Sequence, residues 1–315
     1  KYNPDLVFVE FAVNDDGAAE ERIVRAMEGI VRQIWQHNPY TDICFIYTTK
    51  QTYLKTAPNG QLPKTAEVME KVAAKYQIPT INFGFEVAKL VTDNQLVIRG
   101  DSMELRGVKV FSSDGVHPYI ETGHVIYQSV IMRSFESMLV SATGKSYKHK
   151  LKKPLDANCF DKTQMFDFKA GELSKNWQTF QIKDVPAFRK FDPFLTTFGK
   201  ASLAGESLTV RFKGTAVGVY DFMGPDAGKV QVEIDGIVTD TIWRFDPWCT
   251  YVRMHYFLID HLENKEHKAV FRLITNPFDK AAILAKIGNV IENPDDYKEN
   301  NWYVSKILVE GELLP

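Results

Sequence analysis

The chain has 315 residues, 44% of them hydrophobic and 25% charged, with 38 Lys and Arg against 40 Asp and Glu. This mixture excludes a disordered, collagen-like or coiled-coil chain, and a net charge of -2 argues against a nucleic-acid binder that works by bulk electrostatics. No run approaches the roughly 20 apolar residues of a membrane span, and the length allows two domains at roughly 100–200 residues each.

The chain begins Lys1-Tyr2-Asn3-Pro4, without Met and without the charged-then-apolar pattern of a signal peptide. It runs at once into a strand-like segment, Asp5 to Phe11. A domain that starts on a core strand is expected to have its front part upstream. Leu6-Val7-Phe8-Val9 is a continuous apolar run, the pattern of a parallel strand buried on both faces. Ala18 to Gln36 has Ile23, Met27, Ile30, Val31 and Ile34 at helical spacing, and Asn38-Pro39 stops it. Ile43 to Tyr47 is a second buried strand, followed by a loop rich in Thr, Gly and Pro. A helix over Thr65–Tyr76, a strand over Pro79–Phe83 and a short helix over Phe85–Val91 come next. An irregular stretch from Thr92 to Val110 precedes a last helix, from about Ile120 to Val140. Alternating strands and helices point to an open parallel sheet with helices on both faces.

Residues 143–156 are polar and Lys-rich, with Lys145, Lys148, Lys150, Lys152 and Lys153 close together. A solvated interdomain linker is favoured over an anion-binding patch, because no aromatic or Arg partners accompany the lysines. Beyond it, over 157–315, the pattern changes. Ser207–Lys213, Ala216–Tyr220, Lys229–Ile234 and His267–Ile274 alternate polar and apolar residues, with turns such as Gly224-Pro225-Asp226 and Asp235-Gly236 between them. Four of the five Trp lie in this half. It reads as an antiparallel β-sandwich of jelly-roll type. The three cysteines, Cys44, Cys159 and Cys249, form neither a disulfide framework nor a zinc pattern.

Two blocks carry chemistry. In Ser112-Ser113-Asp114-Gly115-Val116-His117-Pro118, an Asp and a His three positions apart on a turn can sit side by side, the carboxylate fixing the imidazole tautomer. Such a pair needs a nucleophile, either a Ser or a metal-bound water. In Ala12-Val13-Asn14-Asp15, directly after the first strand, Asn14 is placed where open parallel sheets bind ligands and could aim its amide at a developing oxyanion. A turn or cap is the competing reading for Asn14, and Asp15 is expected to cap the following helix.

In this order, PDLVFVEFAVND and SDGVHP about a hundred residues later resemble the second half of an SGNH (GDSL-type) hydrolase, over roughly residues 4–140. The resemblance implies a flavodoxin-like αβα sandwich and ester hydrolysis by a Ser-His-Asp triad, with no metal or organic cofactor. Position by position, Asn14 matches the oxyanion Asn, Asp114 the orienting acid and His117 the general base. The Gly two places before the family's Asn is Ala12 here, and the family's nucleophile block would lie upstream of Lys1. Gly100-Asp101-Ser102 spells the family's nucleophile tripeptide, but it lies too late in the domain and reads as coincidence.

His124 could join Asp114 and His117 as a metal set, though a surface role is favoured, and Glu10 reads as a partnered carboxylate at a strand end. Trp243-Arg244-Phe245-Asp246-Pro247-Trp248 suits sugar contact, against the commoner reading of core aromatics. The strand pattern of the second half is similar to jelly-roll accessory domains beside carbohydrate esterases. The leading expectation is an exported, periplasmic or extracellular carbohydrate O-acetyl esterase, acting on an acylated carbohydrate. The competing one is a noncatalytic carbohydrate-binding or structural module.

Overall fold

The computed structural model describes residues 3–142, 144 and 146–315; Lys1, Tyr2, Thr143 and Lys145 lie outside the described residues. The chain divides into two compact units, Lys1–Asp161 and Lys162–Pro315. No helix of the described residues is long and apolar enough to cross a membrane.

In the first unit, Leu6–Val9 (β1), Asp42–Tyr47 (β2) and Thr80–Asn82 (β3) form a parallel sheet in the order β1-β2-β3. The helices Glu20–His37 (α1) and Lys64–Tyr76 (α2) cover one side. Their Ile23, Met27, Val31, Val68, Met69 and Val72 bury against Val9, Ile43 and Phe45. Gly84–Thr92 (α3) and Val125–Ser141 (α4) supply Val87, Tyr127 and Val130 to a second core with Cys44, Ile81 and Phe111. The sheet therefore has packed side chains on both faces, as continuous apolar runs demand.

The stretch expected to be irregular contains strands. Leu96–Arg99 (β4) runs parallel to Val108–Ser112 (β6), and Glu104–Leu105 (β5) pairs antiparallel with β6. β6 carries the chain straight into Asp114. The final helix opens with a wide π-type turn, Ile120–His124, whose Gly123 lies against β6: a Cβ there would sit 2.8 Å from the Phe111 carbonyl and 2.4 Å from Pro118. Only glycine permits that approach.

The segment expected to be a solvated linker is docked instead. Buried Glu28 on α1 accepts the Leu155 and Asp156 amides at 2.8 and 3.1 Å and the Tyr76 hydroxyl at 2.8 Å. Arg25 pairs with Asp156 at 2.8 Å, and Arg32 with Asp161 at 2.7 Å. His149 stacks on Trp35, ring centroids 4.4 Å apart, and Lys152 donates to the Lys75 carbonyl. A carboxylate buried on a helix must find donors, and the backbone after Pro154 supplies them.

The second unit is built from Thr163–Asp167 (β7), Glu172–Leu173 (β8), Gln178–Gln181 (β9), Thr197–Ala201 (β10), Ser207–Met223 (β11), Lys229–Ile234 (β12), Ile237–Trp243 (β13), Arg253–Ile259 (β14), Lys265–Ile274 (β15) and Trp302–Leu313 (β16). Their main path is β13-β12-β15-β11-β16-β10-β9, with β14 and β8 on β11 and β7 on β16. Two expected strands, Ser207–Lys213 and Ala216–Tyr220, are one long strand joined through a bulge between Gly214 and Ala216. Past the bulge β11 exchanges β15 for β14 as its neighbour, which folds the sheet over a core of Leu208, Phe212, Val219, Phe271, Trp302 and Ile307. At the β12–β13 hairpin Asp235 and Gly236 both have positive φ, 54° and 85°. Those are the values a two-residue turn of the primed type requires.

Between β15 and β16 the chain makes an excursion with one short helix, Lys280–Ala285 (α5). Lys280 anchors it. Its ammonium donates to the carbonyls of Pro225 and Glu299 at 3.0 and 2.6 Å and lies over the rings of Phe245 and Phe278. Burial pushes its pKa down to about 8, with Asp226 opposing. Between about pH 8 and the ordinary lysine value of 10.5 the unfolded chain binds the extra proton, so this contribution to stability grows as pH rises through that window. Denaturant titrations are expected to show the growth in the wild type and its loss in Lys280→Met.

Candidate active site

The carboxyl ends of the parallel strands carry the residues singled out from the sequence. β6 ends in Ser112, whose buried hydroxyl donates to the Ile98 carbonyl at 3.2 Å and accepts the Gly115 amide at 2.7 Å. That bond folds the chain back, and Gly115 adopts φ 84° to follow it. Asp114 then caps its own turn: Oδ1 accepts the Val116 and His117 amides, each at 2.8 Å, and Oδ2 meets His117 Nδ1 at 2.6 Å. The carboxylate is held well below its usual range, at about 2, first by the His117 ring and then by the two amides, against a burial effect.

Orientation follows from this bonding. With Nδ1 turned to a carboxylate, the neutral ring keeps its proton there and presents the Nε2 lone pair. The His117 side chain is 86% exposed, so that lone pair faces outward. Structure and sequence agree in bringing Asp114 and His117 into contact.

Asn14 lies in the turn after β1, closed by Asp15 N–H to the Phe11 carbonyl at 2.9 Å, and is exposed. Ala12, at the position of the family's Gly, is fully buried; its amide donates to Glu10 at 3.0 Å and its carbonyl accepts the Tyr53 hydroxyl at 3.2 Å. Glu10 is a structural carboxylate, also accepting the Thr48 hydroxyl at 2.7 Å. Asp15 does not cap α1: the cap position is Ala19, with no side-chain bond. Burial, and then the charge of Glu10, raise the Asp15 pKa.

Other candidates fall away from this geometry. The Ser102 hydroxyl donates to the Glu104 carbonyl at 2.6 Å, within the turn before β5. His124 is exposed and lies edge-on to Tyr127. Among the described residues no three His, Cys, Asp or Glu side chains gather as a metal site. The aromatic motif of the second unit divides. Arg244 is buried in a two-point pair with Asp221, at 2.7 and 2.6 Å, and Phe245 is buried. Trp243 and Trp248 are exposed. A cleft of about 400 Å³ lined by Thr250, Tyr251, Asn289, Glu292 and Tyr297 opens near them in sequence.

One contributor escaped the sequence reading. The loop after β2 forms a short 3-10 helix, Gln51–Lys55, and it touches both blocks. Gln51 N–H donates to the Gly115 carbonyl at 2.8 Å. Lys50 pairs with Asp16, and Tyr53 reaches Ala12. A 3-10 turn has no apolar periodicity, so nothing in the pattern marked it.

Neither a protein-family model nor a curated protein matches the chain. Among solved structures, a two-domain esterase active on acetylated mannans is similar over 99% of this chain and 74% of its own, with 17% identity and a TM-score of 0.67. The same kind of esterase co-crystallized with mannopentaose gives a TM-score of 0.66 at 17% identity, over 99% and 73% of the two chains. The fold of this chain is thus that of a two-domain protein with an α/β unit followed by a β-sandwich, as the resemblance implied.

The Asp114 carboxylate gives the turn a defined acid limit. Its contribution to stability is complete above the ordinary carboxyl value of 3.8 and is lost as pH falls through about 2. Comparing wild type with Asp114→Asn in denaturant at stepped pH should show a difference that holds at pH 5 and closes toward pH 2.

Proposed function

We propose that the protein is a serine esterase that removes acyl groups, most simply acetyl, from a carbohydrate. The observation that carries this reading is the Asp114–His117 contact of 2.6 Å on Nδ1, which leaves an exposed Nε2 free to take a proton. The likeness in fold to an esterase active on acetylated mannans supports the substrate class.

In this reading a serine hydroxyl gives its proton to His117 Nε2 while its oxygen bonds to the ester carbonyl carbon. Asn14 donates to the oxyanion of the tetrahedral intermediate. The imidazolium, held by Asp114, returns the proton to the departing sugar oxygen as the C–O bond breaks. A water then repeats the sequence and frees the acid. Two serines near the turn have structural bonds, Ser102 with Glu104 and Ser112 with Ile98 and Gly115. Following the block order that the resemblance implies, with the nucleophile block ahead of the Asn block, we assign the nucleophile to a serine ahead of β1. The outer edge of β1 has no strand partner among the described residues, and its Phe8 is 42% exposed. An open, partly apolar strand edge of this kind is suited to receive another strand. On this reading the substrate is a polysaccharide met in the periplasm or outside the cell, and we propose the same location for the protein.

In the full-length protein, His117→Ala should abolish acetyl release from an acetylated mannan. Asn14→Ala should lower kcat by about 100- to 1,000-fold, the range for removing one oxyanion donor. Undiminished release by His117→Ala would refute the assignment.

Glycan contact by the second unit is a separate reading, favoured by Tyr251, 52% exposed in the lining of the cleft, and by Trp248, 57% exposed three residues before it in the chain. Flat rings pack on the C–H faces of sugars. In affinity electrophoresis on mannan, Trp248→Ala and Tyr251→Ala should each weaken retention, by about tenfold for a contact worth about 1.4 kcal/mol. Retention unchanged in both variants would assign these rings no ligand.

A further inference from the structure

We propose that Lys50–Tyr53 is the positioning element of the active site, one rigid turn that fixes the oxyanion donor and the general base relative to each other. The inference rests on the esterase reading, and it concerns residues that no sequence pattern marks.

The turn is tied to the two catalytic blocks by different groups. On the side of Asn14, Lys50 pairs with Asp16 two residues after it, and the Tyr53 hydroxyl donates to the Ala12 carbonyl two residues before it, at 3.2 Å. The turn after β1 is thus held at both shoulders, with the exposed Asn14 amide between them. The Lys50 ammonium also lies 4.9 Å above the Tyr53 ring, so the two contacts support each other. On the side of His117, Gln51 N–H donates to the Gly115 carbonyl at 2.8 Å. Gly115 stands between Asp114 and His117, and its missing side chain lets Gln51 close down: a Cβ there would come within 3.0 Å of Gln51 Oε1.

The root of the turn is fixed as well. Thr48 bonds to Glu10, and the Thr49 amide donates to the Tyr127 hydroxyl at 3.1 Å. Tyr127 in turn stacks on Phe83 at 4.2 Å. The turn therefore transmits the position of the core to both blocks. Reacting groups displaced by about 1 Å lose rate steeply even when binding is intact. A positioning role accordingly predicts a loss in kcat with KM conserved.

The bond to Gly115 can be removed alone. Lys50 has φ -138° and ψ 162°, the extended form a residue before proline prefers. Gln51 is the first residue of its helix, where proline fits. Gln51→Pro deletes the N–H and keeps the backbone, whereas Gln51→Ala keeps the N–H and deletes the side chain. Kinetics of the full-length protein on p-nitrophenyl acetate, with melting temperatures and the downfield proton resonance of His117 Nδ1–H, would test the proposal. Gln51→Pro is expected to lower kcat by about 10- to 100-fold, with KM within about twofold and a shifted or broadened His117 resonance. Gln51→Ala, which retains the N–H bond, should lose severalfold less kcat than Gln51→Pro and keep the His117 resonance sharp. If Gln51→Pro does not fold, Tyr53→Phe and Lys50→Met decide, and each should lower kcat severalfold at constant KM. Wild-type kcat in the folded Gln51→Pro variant, or in both other variants, overturns the proposal. Activity retained in His117→Ala would instead overturn the esterase reading on which it rests.

Discussion

Where a parallel strand ends, its ladder ends too, and the next few backbone N–H and C=O groups need other partners. In the first unit that need is met by short polar side chains at the strand ends. Glu10 takes the Ala12 amide after β1. Asn82 takes the Gly84 and Phe85 amides after β3, at 2.7 and 3.3 Å. Ser112 and Asp114 take three amides after β6. The same bonds that satisfy the backbone fix the loops that carry Asn14 and His117. Satisfaction of the strand ends and the shape of the candidate site rest on the same bonds.

This explains why the sequence reads clearly in some places and not in others. The continuous apolar run Ile43–Tyr47 marks a strand covered on both faces, whereas β1, expected to be buried in the same way, stands at the sheet edge with only Val9 buried and Phe8 exposed. The Asp114–His117 pair is local, three residues apart on one turn, so spacing alone brings the groups together. β4 and β6 were hidden because Leu96–Ile98 is short and Gly100-Asp101-Ser102 interrupts it. Asp15 has the chemistry of a cap, but α1 begins at Glu20, beyond its reach. The docking of 149–161 draws on Glu28, an acid on the covered side of α1, and only the fold reveals that its backbone donors are Leu155 and Asp156, 127 and 128 residues away. The Lys50–Tyr53 turn is legible only through its partners, since its sequence is that of an ordinary loop.

The second unit solves burial differently. Its sandwich core is mainly apolar, yet Asp221 is fully buried against Arg244 and also accepts the Trp302 indole at 3.3 Å. A buried charge pair requires good geometry and further donors to be tolerated, and here both are present. The pair joins the Trp243–Trp248 loop to the C-terminal end of β11. It fixes the base of that loop while leaving the rings of Trp243 and Trp248 facing solvent.

The strand that completes the sandwich is β16, and its place in the order has a kinetic side. β7 and β10 join the sheet through β16, and β9 joins through β10. The most N-terminal of these, Thr163–Asp167, pairs with residues about 140 positions later in the chain. Closing so long a loop costs entropy before any contact is made, and such topologies fold slowly. On a ribosome, β7 and the β9–β10 pair would emerge early and wait with open edges until residues 302–313 arrived. The first unit, whose parallel strands pair with near neighbours in sequence, faces no such delay.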